Sequence, residues 1–367
     1  MLNGKISGRQ AANMMVLFIL GSSLVTGGGM AAKQDSWICV ILGMLMTVPL
    51  VLIYAELNHS APGKDIFEMS YEALGKFGGA VITILFTLYT IHLGALVVRN
   101  FTEYFQVVSI PETPQYVTAI CIGLIAWYSV SKGMDVVARG SVFTMPLVMS
   151  VIILLNLFTL KYMNFSNLEP VLYHNSGKVF EGAYSLFTFP FAETVMFVTV
   201  FSIVETKKHP AKIYLLSLLF AGLVLTALVA VAIAIIGLPL VTMLYFPSYA
   251  SASVMDIGNF ISRAEVLVSG NYIIFGIVKV TVCLYVSCKG LAKLFNVKDH
   301  RVFSMPIMAV MIIESVLVYE STMQMFAFID IYSIYAPFFE AAIPILLLIV
   351  IKVKKKQSQA KSAGAQA

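Results

Sequence analysis

The sequence predicts an all-α integral membrane protein of about ten transmembrane helices, and three observations carry that prediction. Hydrophobic residues make up 59% of the 367 and charged residues only 12%, with a mean hydropathy of +0.89. A soluble domain typically carries about 25% charged residues, so this chain lacks the charge to cover a water-facing surface of its size, whereas lipid accepts apolar side chains. Apolar stretches of roughly 17–25 residues, the length that crosses a bilayer, recur along the chain. Lysine and arginine fall on alternate loops between them.

In order, the expected spans are 11–32, 36–55, 77–98, 113–131, 140–160 and 182–204. A long uncharged stretch follows over 213–255, in which Gly237-Leu238-Pro239 ends the seventh helix and the remainder is irregular or a short surface helix. The last three spans are 266–288, 302–319 and 331–351. With a cytoplasmic N-terminus, eighteen of the 24 Lys and Arg fall inside and four outside, while Arg99 and Lys279 lie within or at the edge of spans. Both termini are therefore expected in the cytoplasm, with an even number of spans. The chain divides as a single permease-like transmembrane domain over 1–355 and a disordered cytoplasmic tail over 356–367. Two repeats are expected within the domain, over about 11–160 and 182–351. Residues 57–76 mix Asp65, Glu68 and Glu72 with Ile66, Phe67, Met69 and Tyr71, the pattern of an amphipathic surface helix.

Two spans contain helix breakers. The first has Gly21-Ser22-Ser23 near its middle and Gly27-Gly28-Gly29 beyond; the sixth has Thr188-Phe189-Pro190-Phe191 near its middle. Pro190 removes a backbone donor and clashes with the preceding turn. Span one opens the first set of five and span six the second, and repeat units with an odd number of crossings, here five, have opposite topology in the membrane. Matching breaks in two halves point to an inverted-repeat transporter with solute bound at mid-depth. Glycine and proline also serve ordinary helix packing in membranes, which is the plainer account of either break alone.

At this point the residues resemble a family. Ile6-Ser7-Gly8-Arg9-Gln10, Lys33-Gln34-Asp35-Ser36-Trp37, Ala61-Pro62-Gly63-Lys64, Leu74-Gly75-Lys76-Phe77-Gly78, Pro111-Glu112-Thr113-Pro114, Gly133 to Arg139, and Phe189-Pro190-Phe191-Ala192-Glu193 occur in the order and spacing of the spore germination permeases. These are the B subunits of GerA-type germinant receptors, within the amino acid–polyamine–organocation (APC) superfamily. Ala192 stands where the family usually has glycine. The resemblance implies a leucine-transporter-type fold with broken helices 1 and 6, and residence in the spore inner membrane. It also implies recognition of a small nutrient such as an amino acid, alongside a membrane A subunit and a C lipoprotein. It favours keeping Lys5, Arg9 and the apolar run after them as a first span rather than a cleaved signal peptide.

Candidate site residues follow from the breaks and from charges at bilayer depth, which cost roughly 2.5–3.5 kcal/mol or more. Gly21, Ser22 and Ser23 would cradle a carboxylate, with Thr188, Phe189, Pro190 and Phe191 as the opposite wall. Glu193 is a partner for a ligand amine or a proton, or else a bundle-holding ion pair. Lys279 is a candidate for ion or proton coupling, since in this fold span eight packs beside span one; its plainer role is an ion pair with Glu314 or Glu340. Arg99 and Glu103, four apart on one face, form either a local pair near the headgroups or an outer gate. His92 is a packing residue or a titrating one, and Tyr89 is aimed at the cavity. No cofactor, metal or nucleic-acid partner is expected. Cys39, Cys121, Cys283 and Cys288 lie in apolar runs without metal or redox spacing. An enzyme is disfavoured: the sequence has no His-Glu-x-x-His, no Gly-x-Ser-x-Gly and no paired intramembrane aspartates, and Gly27-Gly28-Gly29 is not followed by Gly-Lys-Ser/Thr. Two functions remain open, a germinant-receptor subunit and an autonomous proton-coupled amino-acid transporter.

Overall fold

The protein is described here by a computed structural model covering residues 4–23, 30–173, 176–205, 209–254 and 265–364. The expected Gly27-Gly28-Gly29 break lies outside the described residues. Two segments are enclosed by the rest of the chain. Met14 to Leu20 of helix α1 (Gly8–Ser23) is buried throughout, and so is the stretch from Thr188 to Val200. In the span containing that stretch, Ser176–Ile203, 83% of the most apolar 18 residues are buried, against 17% in Met134–Tyr162. The sixth span is thus central and the fifth peripheral, facing lipid with Phe143, Leu147, Ile153 and Leu157.

Among the described residues, eight helical segments are long and apolar enough to cross a bilayer. They contain α2 (Ser36–Ser60), α3 (Ile66–Tyr104), α5 (Met134–Thr159), the pair α6 (Ser176–Leu186) and α7 (Met196–Val200), and α8 (Pro210–Ile236). After two short surface helices, α9 (Leu240–Met243) and α10 (Pro247–Ser253), come α11 (Glu265–Leu294), α12 (Ser304–Leu317) and the continuous pair α13 (Thr322–Pro337) and α14 (Ile343–Gly364). The 16-residue α1 and α4 (Gln115–Lys132) bring the bundle to ten.

Local chemistry explains the main boundaries. Asp65 and Glu68 close a capping box at the start of α3, each side chain accepting from the other's backbone N–H. Gly75 then adopts φ 73°, open to glycine without strain, and splits a short helix from the long span behind it. One face of that short helix is buried, with Phe67 packed edge-on against Phe86, so it covers protein and not only a lipid surface. Pro210 opens α8, and Gly237 with φ 72° ends it, as its breaker sequence predicts. Ser321 accepts from the Gln324 N–H at the start of α13.

α1 is helical through Ser23, so Gly21-Ser22-Ser23 forms its last turn, and the chain over 24–29 that follows lies outside the described residues. Two expectations need correction. The tenth span is much longer than 331–351: α13 and α14 join through a widened turn at Phe338–Ala342. The tail is helical from Lys356 to Gly364 rather than disordered. Its lysines, glutamines and alanine are good helix formers, and Lys354 and Lys355 anchor the approach by donating to the Glu72 and Ser60 carbonyls.

One end of the bundle gathers several distant segments. Ile6–Ser7 (β1) pairs in parallel with Val204–Glu205 (β2), and Lys5 meets Glu205. The His59 and His209 rings meet at a tilt with centres 4.3 Å apart, and Lys352 pairs with Glu56 at 3.1 Å. The beginning of α1 and the end of α14 therefore sit at the same end.

Candidate functional site

The site forms where the sixth span loses its helix. Phe187–Phe191 is a wide turn in which Phe189 takes an extended conformation (φ −128°, ψ 107°), followed by a cis Phe189-Pro190 bond. A helix turn stretched in this way leaves carbonyls without their usual i+4 donors. The Tyr54 hydroxyl of α2 lies 3.0 Å from the Ala192 carbonyl just after this turn and 2.6 Å from the Glu340 carbonyl in the Phe338–Ala342 turn. The Thr188 hydroxyl donates to the Ser185 carbonyl at 2.8 Å and lies 3.1 Å from the Ser333 hydroxyl of α13.

Lys279 crosses to this break from α11. Its ammonium sits 2.5 Å from Glu193 Oε2, with neither side chain exposed. It also lies 5.0 Å from the centre of the Phe18 ring on α1 and 4.7 Å from that of Phe189. Both contacts are within the range where an aromatic face attracts a cation. Its stem runs along α1 at Gly21, where a Cβ would come within 3.0 Å of Lys279 Cδ. Gly21 thus leaves room for a side chain rather than presenting free backbone. Glu314 and Glu340, the partners expected for Lys279, are not its partners. Glu314 instead meets His92 Nδ1, with both groups partly exposed on the flank of the bundle. Glu340 is held by tyrosines.

The row continues beyond Glu193. Tyr332 Oη lies 3.1 Å from Glu193 Oε1 and 3.1 Å from Glu340 Oε1. Tyr89 Oη donates to Glu340 Oε1 at 2.7 Å and lies 2.9 Å from Tyr332 Oη. Lys279, Glu193, Tyr332, Tyr89 and Glu340 therefore form one buried polar chain linking α11, the broken span, α13, α3 and the Phe338–Ala342 turn. Tyr332 and Phe18 were not singled out from sequence. Tyr332 stands eight residues before Glu340, about two helical turns and hence on the same face, but nothing distinguished it among 17 tyrosines.

Of the remaining wall residues, Phe189 packs edge-on against Tyr332 at 5.8 Å, while Phe191 and Pro190 are buried. Ser22 and Ser23 belong to the end of α1. Beside Phe189 and Tyr332 a cavity of about 20 Å³ remains, lined also by Asn100, Tyr319, Met325 and Phe328. That is room for a water molecule, so a larger solute enters only with movement of Lys279 or of the surrounding helices.

Arg99 and Glu103 form the layer next to Tyr319. Their 3.3 Å pair is nearly fully buried, not a headgroup contact. Arg99 also donates to Gln115 Oε1 of α4 at 2.8 Å, and its guanidinium lies 6.0 Å from the Tyr319 ring centre. Glu103 accepts from Gln115 at 3.0 Å and from Thr322 at the start of α13. The pair ties α3, α4 and α13 together beside the small cavity. Among the described residues no cluster of His, Cys, Asp or Glu could hold a metal ion.

Comparison with known proteins agrees with this architecture. A family model described as "Spore germination protein" matches residues 5–324. Spore germination protein KB of Bacillus subtilis (strain 168) is 27% identical over 309 residues, 83% of each chain. Among solved structures, a Na+-coupled sialic acid symporter in a substrate-bound outward-open state aligns with a TM-score of 0.70 at 10% identity, covering 95% of this chain and 79% of that one. Mhp1, a nucleobase-cation-symport-1 family transporter in a closed conformation with bromovinylhydantoin bound, aligns with a TM-score of 0.69 at 12% identity, covering 89% and 75%. At such identities the structural matches establish the fold, which is that of the leucine-transporter type with a broken sixth span. This multi-pass membrane protein, transporter-like in fold and matched along most of its length, belongs to the spore germination permease family.

Proposed function

We propose that this chain is the nutrient-recognising, permease-like subunit of a spore germinant receptor, binding a small solute such as an amino acid at mid-membrane to trigger germination. The observation that carries this reading is the buried Lys279–Glu193 pair at the break of the sixth span, facing α1. An ammonium and a carboxylate side by side are the complement of a zwitterion: a solute carboxylate would take Lys279 and its amine Glu193. In the closed arrangement the protein supplies both charges itself, so the solute competes with an internal ion pair. Phe189, Thr188 and Pro190 form the wall against which an apolar side chain would rest, with Phe191 behind them and α1 from Gly21 to Ser23 opposite. Arg99 and Glu103 act as the outer gate. The partners are a membrane A subunit and a C lipoprotein. The chain resides in the spore inner membrane with both termini in the cytoplasm.

A second reading, an autonomous proton-coupled amino-acid transporter, is favoured by the polar chain from Lys279 to Glu340 and by the symporter fold. The two differ in whether the solute crosses. Deleting the gene and screening spores against amino acids, sugars and nucleosides identifies the nutrient class. Spores carrying Phe189→Leu should then need about tenfold more of that nutrient, the loss expected from one cation–π contact and its aromatic wall, with membrane abundance unchanged. An unaltered dose response would reject the site. Uptake of the labelled nutrient by vesicles containing this chain alone would favour the transporter.

A further inference from the structure

Glu340 sits in the widened turn between α13 and α14 and is completely buried. Its Oε1 accepts from Tyr89 and lies within reach of Tyr332, but its Oε2 meets no hydrogen-bond donor among the described residues. The titratable and charged groups facing it are Tyr54 of α2, Tyr89 of α3, Glu193 of the broken span, Lys279 of α11, and Tyr332 and Tyr335 of α13. Only one of these is a cation, and Glu193 already holds it at 2.5 Å. Two carboxylates against one ammonium would leave a net negative charge sealed from water, half of it on an oxygen with no donor. Burial of that kind is strongly unfavourable.

Counting hydrogens gives the alternative. Tyr332 has one hydroxyl hydrogen and two carboxylate oxygens at 3.1 Å, so it can donate to only one at a time. If Glu340 Oε1 carries a hydrogen, it donates to Tyr332 Oη, Tyr332 donates to Glu193 Oε1, and Glu193 keeps Lys279. Every hydroxyl and carboxyl hydrogen in the row is then used, and Oε2 is a neutral carbonyl oxygen, the cheapest form in which to leave it unpaired.

We propose that Glu340 is a proton-binding site, occupied in this closed state and wired to the Lys279–Glu193 pair through the Tyr332 hydroxyl. The same row runs in the opposite sense. The Glu340 O–H bond breaks as an O–H bond forms on Tyr332, and the original Tyr332 hydrogen passes to Glu193 Oε1. No electrons change hands. Glu193 becomes neutral, Glu340 carries the charge with Tyr89 and Tyr332 donating to it, and the Lys279 ammonium is released from its counterion. On the solute reading above, a carboxylate arriving at Lys279 favours this second form and an amine arriving at Glu193 favours the first, so solute charge and proton position are linked.

The test needs no solute and therefore stands apart from that reading. The full chain, purified into lipid nanodiscs, is examined by infrared spectroscopy at neutral pH in H2O and 2H2O. A protonated-carboxyl C=O band with a deuterium shift is expected. It should be lost in Glu340→Gln, weakened in Glu193→Gln, where Glu340 is the carboxylate left to balance Lys279, moved in frequency in Glu340→Asp, and moved in Tyr332→Phe as one hydrogen bond disappears. Absence of the band in the unaltered chain, or its persistence undiminished in Glu340→Gln, overturns the proposal. Glu340→Asp keeps the carboxyl, so it reports on the site even if the glutamine variant folds poorly.

Discussion

Lys279 and Glu193 show how a buried charge pair acts in both stability and recognition. Desolvating two ions consumes most of their mutual attraction, so the pair itself contributes little net stability, yet breaking it leaves one ion sealed in the bundle. Lys279→Met or Glu193→Gln alone should cost about 3–5 kcal/mol and lower membrane abundance. The double replacement should recover much of that loss, because with both groups replaced no uncompensated charge remains. Thermal unfolding in detergent, set out as a double-mutant cycle, measures the recovery. Additive losses would mean that the two groups do not interact. Germination should be lost in all three variants, since no zwitterion complement remains.

At the scale of elements, close helix contact fixes the geometry of the break. α2 approaches α6 at Gly43, where a Cβ would lie 2.8 Å from the Ala183 carbonyl oxygen, 2.9 Å from Leu186 Cβ and 3.1 Å from the Phe187 nitrogen. Two of those three neighbours are backbone and cannot rotate away. Gly43→Ala should therefore push the two helices apart just before the wide turn at Phe187–Phe191. Overpacking of this kind typically costs about 1–3 kcal/mol. A fall in thermal midpoint, together with a changed nutrient dose response, is expected. At Gly140, where added bulk meets nothing within 4 Å, the same replacement should leave the dose response unchanged.

For the whole molecule, the gathering of Lys5, Glu205, His209, Lys352 and Lys355 at one end fits a cytoplasmic face, because basic residues are retained on that side during insertion. An impermeant thiol reagent applied to intact cells should label a cysteine introduced at Glu112, in the loop before α4, and should label one introduced at Lys298, in the loop after α11, only after permeabilisation. The opposite pattern would invert the topology. Ten helices in this orientation bring the first and sixth spans into contact at the centre, with Lys279 filling the space between them.

The sequence by itself determined the solvent, the number of crossings and the location of one break. Hydropathy and the lack of charge follow from side-chain chemistry, alternation of Lys and Arg follows from insertion, and Pro190 breaks a helix wherever it stands. Glu193 and Lys279 were legible as charges at depth for the same local reason. What only the tertiary structure decided is who meets whom. Glu193, Glu314 and Glu340 lie at similar depths, so depth could not choose the partner of Lys279; the rotation and packing of α11 against α1 chose it, through the gap left at Gly21. The continuation of α1 past Gly21, the fusion of α13 with α14, and the bridging position of Tyr332 likewise depend on contacts between segments far apart in the chain, and a one-dimensional pattern does not contain those contacts.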